Sequence, residues 1–248
     1  MTQPQVSVII PVHNGAGTVK KAVDSVLAQS VAARIYIVDD ASSDDTQKVL
    51  SAYAGNETVT LLKNETNLGV SASRMRGVSE AETEYIAFLD ADDWWAEDKL
   101  EKQLAAMRDA AAVLSSTGRL LVAADGTPTR RYIGIPERID LGTELQSNYI
   151  NCSGVIVKRD VMLEFPMEHD DSHEDYISWI RIIRRYGFAV GVDEPLLFYR
   201  LSEKSKSSNK LRSAAMNFRV YRYCGYSVFA SIRYSFSYVC NGIRKYFL

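Results

Sequence analysis

Tyr85-Ile86-Ala87-Phe88-Leu89-Asp90-Ala91-Asp92-Asp93 joins a short apolar run to three carboxylates within four positions. The apolar part reads as a buried strand. A strand that ends in acid delivers it to the carboxyl edge of a sheet, where open α/β sheets hold their ligands. Carboxylates packed this closely raise one another's pKa unless a cation neutralises them. Mg²⁺ or Mn²⁺ is the natural partner, since both seek oxygen ligands and are usually shared with substrate phosphates. An acidic loop or helix cap that merely follows a strand is the competing reading.

The surrounding sequence sets this strand in a repeating pattern. Val6-Ser7-Val8-Ile9-Ile10 is a nearly continuous apolar strand ended by Pro11, and Val19, Ala22, Val23, Val26 and Leu27 then recur at helical spacing. Residues 34–38 form a second strand closed by Asp39-Asp40, with Ser42, Ser43 and Asp44 as candidate caps for a helix through Val49-Leu50. Residues 59–62 make a third strand, and a helix from about Val70 to Ala81 leads into the acidic one. The alternation implies right-handed βαβ crossovers and an α/β fold with a mostly parallel, doubly wound sheet. Beyond a helix around 99–110 it loosens. Residues 112–116 are a further strand, 120–122 and 131–133 flank Asp125-Gly126 as a hairpin, and 155–157 form one more strand. A helix then spans roughly 175–185.

At 46% hydrophobic and 24% charged, the 248 residues have an ordinary globular composition, enough for an α/β domain with an appendage. Cys152, Cys224 and Cys240 are far apart, with no Cys-x-x-Cys pair, which favours a reducing, cytoplasmic setting over a disulfide framework or thiolate zinc site. Residues 1–5 lack the features of a signal peptide, and no run of about 18 uncharged apolar residues suggests a spanning helix. The net charge of −2 hides an asymmetry: residues 204–248 carry nine Lys or Arg and no Asp or Glu, whereas 1–203 hold 20 basic and 31 acidic side chains. Composition shifts most near 205–210, dividing 1–205, itself read as halves 1–110 and 111–205, from an extension over 206–248.

Three acidic constellations share one topology. Asp39-Asp40 closes the second strand, Asp90–Asp93 the fourth, and Glu174-Asp175 opens the late helix. Both strand ends lie on the same edge of a parallel sheet, so two acidic sites converge on one cleft. A carboxylate at the second strand can accept hydrogen bonds from a base imide or ribose hydroxyls, whereas Asp44 or Asp45 reads as a helix cap.

Val6-Ser7-Val8-Ile9-Ile10-Pro11-Val12-His13-Asn14, Val38-Asp39-Asp40-Ala41-Ser42, Asn67-Leu68-Gly69-Val70-Ser71 and Phe88-Leu89-Asp90-Ala91-Asp92-Asp93 resemble, in order and spacing, the inverting family 2 glycosyltransferases of bacterial surface-polysaccharide synthesis. The resemblance covers residues 5–95 strongly and reaches more weakly to about 203. It implies a GT-A fold and transfer of a hexose from a nucleotide-sugar, most simply a UDP-sugar, to a glycan or a polyprenyl-diphosphate-linked acceptor. Pro11, His13 and Asn14 then match the loop that contacts uracil and ribose, and Asp40 matches the acid that reads the base. Asp90, Asp92 and Asp93 match the DxD motif, with Asp92 the first choice and Asp93 the second for binding Mn²⁺ or Mg²⁺. Glu174-Asp175 resembles the pair that supplies the catalytic base. Asp175 is assigned that role and Glu174 a supporting one, in acceptor binding or pKa tuning. Arg200, with Lys204 and Lys206, departs from the His-containing ending of some relatives and is a candidate clamp on the diphosphate, or a solvated basic loop.

His169 and His173 are four apart, but the His-Glu-x-x-His pattern of a zinc helix is absent. Between Lys210 and Leu248, basic residues interleave with Phe218, Tyr221, Tyr223, Tyr226, Phe229, Tyr234, Phe236 and Tyr238, a composition suited to an interfacial membrane segment. The acidic body opposes nucleic acid as its partner; a helical hairpin packed on the body, or a contact in a homodimer, is the other reading. Two further functions compete for the acidic strand ends. A sugar-nucleotide pyrophosphorylase would open on a Gly-rich phosphate loop, which Pro11-Val12-His13-Asn14-Gly15 lacks. A phosphoacceptor signalling domain would leave the second half unexplained. A catalytically silent partner subunit is a third alternative, told apart from an enzyme by transfer of label from donor to acceptor.

Overall fold

A computed structural model describes residues 4–201 and 210–247. The division expected at 205/206 and the candidate clamps Lys204 and Lys206 lie outside the described residues. Strands β1 (Val6–Val12), β2 (Ala33–Asp39), β3 (Val59–Lys63) and β4 (Tyr85–Phe88) alternate with helices α1 (Val19–Leu27), α2 (Thr46–Leu50) and α3 (Val70–Glu80). These strands pair in parallel in the order β3-β2-β1-β4. Register brings their acidic ends level. Val12 pairs with Asp39, Ile9 pairs with Phe88, and the Asp40 and Leu89 amides donate to Val12 and Ile9 carbonyls at 2.8 and 3.0 Å.

The strands read as continuous apolar runs because both sheet faces are covered. Val8, Ile10, Ile35 and Ile37 pack beneath α1 and α4 (Lys99–Asp109), while Ile9, Ile86 and Phe88 pack beneath α3 and α7 (Glu174–Tyr186). Trp179 of α7 is fully buried 6.4 Å from Phe88. That packing fixes the helix carrying the Glu174-Asp175 pair, and truncating so large a buried side chain typically costs about 3–5 kcal/mol.

Past β4 the sheet is mixed rather than parallel. The other strands are β5 (Trp94–Trp95), β6 (Leu114–Val122), β7 (Pro128–Ile133), β8 (Arg138–Asp140), β9 (Ile156–Lys158) and β10 (Phe188–Arg200). The order continues β4-β9-β6-β10-β5, with β9 antiparallel to both neighbours and β10 parallel to β6. The hairpin expected at Asp125-Gly126 is β6–β7, closed by Gly126 at φ +91°.

Two features of this half depart from the sequence reading. Residues 112–122, read as two strands, contain one, because Thr117 hydrogen-bonds the Val192 and Glu194 carbonyls instead of opening a turn. The long β10 went unread: Gly191 and Asp193-Glu194-Pro195 look like a turn, yet the strand absorbs them as register shifts against β6. Helices α5 (Leu141–Ser147) and α6 (Arg159–Glu164) complete the body.

The extension forms α8 (Lys210–Tyr223) and α9 (Val228–Phe247). It is docked rather than loose, since Val220, Tyr221 and Cys224 bury against Leu145 of α5 and Tyr176, Ile177 and Ile180 of α7. Among the described residues no helix is long and apolar enough to cross a membrane.

Candidate active site

A cleft of about 730 Å³ opens over the carboxyl ends of β1, β2 and β4. Pro11, His13, Asn14, Asp40, Asp90, Asp92, Glu174, Asp175 and Arg200 all line it. Asp93, the remaining member of the acidic run, is not among the lining residues.

The β1 end is held by hydrogen bonds from its own side chains. His13 Nδ1 donates to the Asp40 carbonyl at 2.8 Å, and Asn14 Nδ2 donates to His13 Nε2 at 3.1 Å, which places the ring proton on Nδ1. Asn14 sits at φ +53°, a left-handed conformation Asn tolerates, and its Oδ1 accepts from the Ser43 amide at 2.8 Å. Asp40 is nearly buried. Its Oδ1 accepts from Asn64 Nδ2 at 2.7 Å and the Leu68 amide at 2.8 Å, and its Oδ2 accepts from the Gly69 amide at 2.9 Å. Burial opposes its ionisation, but these donors win and hold the carboxyl below its usual range. Gly69 suits its position because φ is +91°, a left-handed conformation that side-chain-bearing residues rarely adopt.

The acidic run divides its labour. Asp90 Oδ1 accepts from Arg74 Nη2 at 2.6 Å. Asp92 lines the cleft and is pushed up to about 6, first by burial and then by the Asp90 charge. Asp93 turns the other way. Its Oδ1 accepts from the Arg200 amide at 2.8 Å, and burial followed by the Asp92 and Asp90 charges raises it well above the carboxylate range. Asp93 is thus set back from the cleft lining: one oxygen fixes the end of β10, while its Oδ2 is buried without a hydrogen-bond partner, and Asp92 is the acid of the pair that faces the cleft. Arg200 itself donates from Nε to the Asp92 carbonyl at 3.0 Å and from Nη1 to the Ala124 carbonyl at 2.9 Å, so it is part of the cleft wall rather than a solvated loop.

Arg74, unread from sequence, is the hinge pin of the site. It is buried on α3 and bridges Asp90 to Glu174, whose Oε1 accepts from Nη1 at 3.0 Å. Burial alone would lower the guanidinium, yet Asp90, Cys152, Glu174 and Asp175 raise it well above its ordinary value. Its one signal in sequence is a lone cation on the helix face that carries Gly77 and Val78. Asp175, beside Glu174 in the first turn of α7, is only partly exposed. It is pushed up to about 6 by burial and then by the Glu174 charge, against the opposing pull of Arg74. Asn151-Cys152-Ser153-Gly154 abuts the acidic run, with Ser153 Oγ accepting from the Asp90 amide at 3.1 Å. His169 stacks on Tyr223 at 3.8 Å while His173 lines the cleft, so they do not form a zinc pair.

Among the described residues no three His, Cys, Asp or Glu side chains assemble a metal site by themselves. A partly buried carboxylate short of counter-charge, in a cleft open enough for a diphosphate, still fits a hard cation that draws most of its ligands from substrate and water.

A model of glycosyl transferase family 2 matches residues 7–162. The putative teichuronic acid biosynthesis glycosyltransferase TuaG of Bacillus subtilis is 35% identical over 246 residues, spanning 98% of each chain. The UDP-Glc:alpha-D-GlcNAc-diphosphoundecaprenol beta-1,3-glucosyltransferase WfgD of Escherichia coli is 30% identical over 97% of this chain and 94% of its own. Among solved structures, S. aureus TarS 1–349 in complex with UDP-GlcNAc superposes with a TM-score of 0.74 at 14% identity, covering 97% of this chain and 73% of that one. At that identity the likeness is one of fold, and the GT-A architecture expected from the motifs is the one observed.

Proposed function

This chain belongs to glycosyl transferase family 2 and is a glycosyltransferase, and from that premise we propose that it moves a hexose from a UDP-sugar to a hydroxyl of a lipid-linked glycan, inverting the anomeric centre. Surface-polysaccharide assembly at the inner face of the cell membrane is the setting. The carrying observation is that Asp40, Asp92 and Asp175, from three distant segments, line one cleft. The names of TuaG and WfgD, with teichuronic acid and a diphosphoundecaprenol acceptor, support the pathway and the lipid carrier.

The chemistry follows from charge. The loop Pro11–Asn14 and Asp40 make the nucleoside end, and Asp40 Oδ2, with one donor bound, keeps capacity for another. Asp92 would hold Mn²⁺ or Mg²⁺, which when bound neutralises the charge that builds on a departing diphosphate. Arg200 adds a fixed positive charge to the same wall. Asp175 takes the proton from the acceptor hydroxyl as its oxygen attacks the anomeric carbon on the face opposite the diphosphate. Glu174, tied to Arg74, cannot serve as well; it tunes Asp175 upward.

Asp175 must be ionised to act. With its carboxyl at about 6, kcat/KM is expected to hold above pH 7 and fall about tenfold per unit below pH 6, as read from a pH–rate profile. A flat profile down to pH 4.5 would remove it as the base.

Donor and metal are tested together by thermal unfolding with UDP-glucose, UDP-galactose or UDP-N-acetylglucosamine, with and without Mn²⁺. A donor at a hundredfold excess over its Kd stabilises by about 2.7 kcal/mol, a shift of several degrees. Asp92→Asn is expected to lose the Mn²⁺-dependent part of that shift. If the variant keeps it in full, Asp92 is not the ligand.

A further inference from the structure

We propose that the outward face of α9 is a docking surface for an anionic lipid bilayer. Twelve large hydrophobic side chains are exposed among the described residues, and five of them, Val228, Phe229, Ile232, Phe236 and Val239, lie on this one helix. At about 100° per residue they fall within a single arc of about 100°. Phe229 and Phe236 are 81% and 72% exposed, values that no packed side chain has. The opposite side of α9 is anchored. Ser231 is buried, Tyr234 lies 5.5 Å from Tyr221, Tyr238 lies 6.4 Å from Tyr176, and Asn241 donates to the Gln146 carbonyl at 3.0 Å. The stripe is thus presented by a helix fixed to the body.

Charge selects the occupant. Residues 204–248 carry nine cations and no anion, and Arg233 is exposed at the margin of the stripe. Arg219 is offset by Asp171 of the body at 3.3 Å, but α9 itself carries no acid to offset Arg233, so a second copy packed symmetrically on this face would bring like charges together. An anionic bilayer supplies the missing counter-charge and takes the phenylalanines into its interface. The acidic remainder of the chain is repelled from the same surface, which orients the molecule with its tail down.

The face serves the proposed transfer by bringing the cleft to lipid-linked glycans. Its binding to vesicles needs neither donor nor acceptor, so failure of one reading is distinguishable from failure of the other. Removing residues 210–248 is an unsuitable test, because it would strip the cover from Tyr176, Ile177 and Ile180. The full chain should instead be floated with phosphatidylglycerol–phosphatidylcholine vesicles and with phosphatidylcholine alone. It is expected to float with the first and sediment from the second. Phe229→Ser with Phe236→Ser should weaken partitioning about 100-fold, roughly tenfold per ring, with thermal unfolding unchanged. Arg233→Glu should weaken it about tenfold. Undiminished flotation of the double variant, or equal binding to neutral vesicles, overturns the proposal. So does a lipid-free dimer in sedimentation that the double variant dissociates.

Discussion

Asp175→Asn is expected to lower kcat for sugar transfer by about 10³-fold, near 4 kcal/mol of barrier, while donor affinity stays within about twofold. The amide keeps the shape of the carboxylate and the hydrogen bond from the Tyr176 amide to Oδ1, at 2.8 Å, so packing at the head of α7 should survive. What it loses is the ability to accept a proton from the acceptor. Donor binding, which draws on Asp40, Asp92 and the β1 loop, involves none of that. Glu174→Gln is the control that separates the two acids. Removing the Glu174 charge leaves Asp175 under the pull of Arg74, so the acid limb of the pH profile should move to lower pH with turnover largely retained. If Glu174→Gln were the dead variant and Asp175→Asn the live one, the assignments would exchange.

The convergence of the acids was legible because it follows from backbone register alone. Strands that end in Asp39-Asp40 and in Asp90 must deliver them to one edge once β1, β2 and β4 pair in parallel. The direction of each side chain after the strand ends was not legible. Asp92 and Asp93 are neighbours, yet one lines the cleft and the other locks onto the Arg200 amide, a choice set by a β10 strand disguised as a turn. Arg74 was hidden for a different reason. Its partners Asp90 and Glu174 lie 16 and 100 positions away, and no local period encodes a contact of that range. The tail shows a third case. Composition sets it apart from the body, but its aromatics split, Tyr221 turning fully inward and Phe229 outward. Only the docking of α8 and α9 on α5 and α7 decides which is which.

Arg74→Ala should be the most damaging to stability of the substitutions in the cleft. The side chain is 5% exposed and is the buried counter-charge of both Asp90 and Glu174, itself 7% exposed. Removing one partner of a buried ion pair typically costs about 3–5 kcal/mol, because the buried Glu174 charge is left unpaired, whereas Asp90, 36% exposed, is partly solvated. For a chain of this size that is on the order of 10 °C in Tm. The protein can soften the cost by protonating a carboxylate, and this gives the second, independent readout. Arg74 holds Asp175 down against burial and Glu174, so without it the Asp175 carboxyl rises further. The acid limb of the pH–rate profile should therefore move to higher pH in whatever fraction folds, leaving less base at neutral pH. Adding Glu174→Gln removes one of the stranded charges and should recover part of both losses, a non-additivity expected only of groups in direct contact. A Tm within about 2 °C of wild type for Arg74→Ala alone would mean that α3 and α7 are held together by apolar packing, and that the guanidinium is incidental to the site.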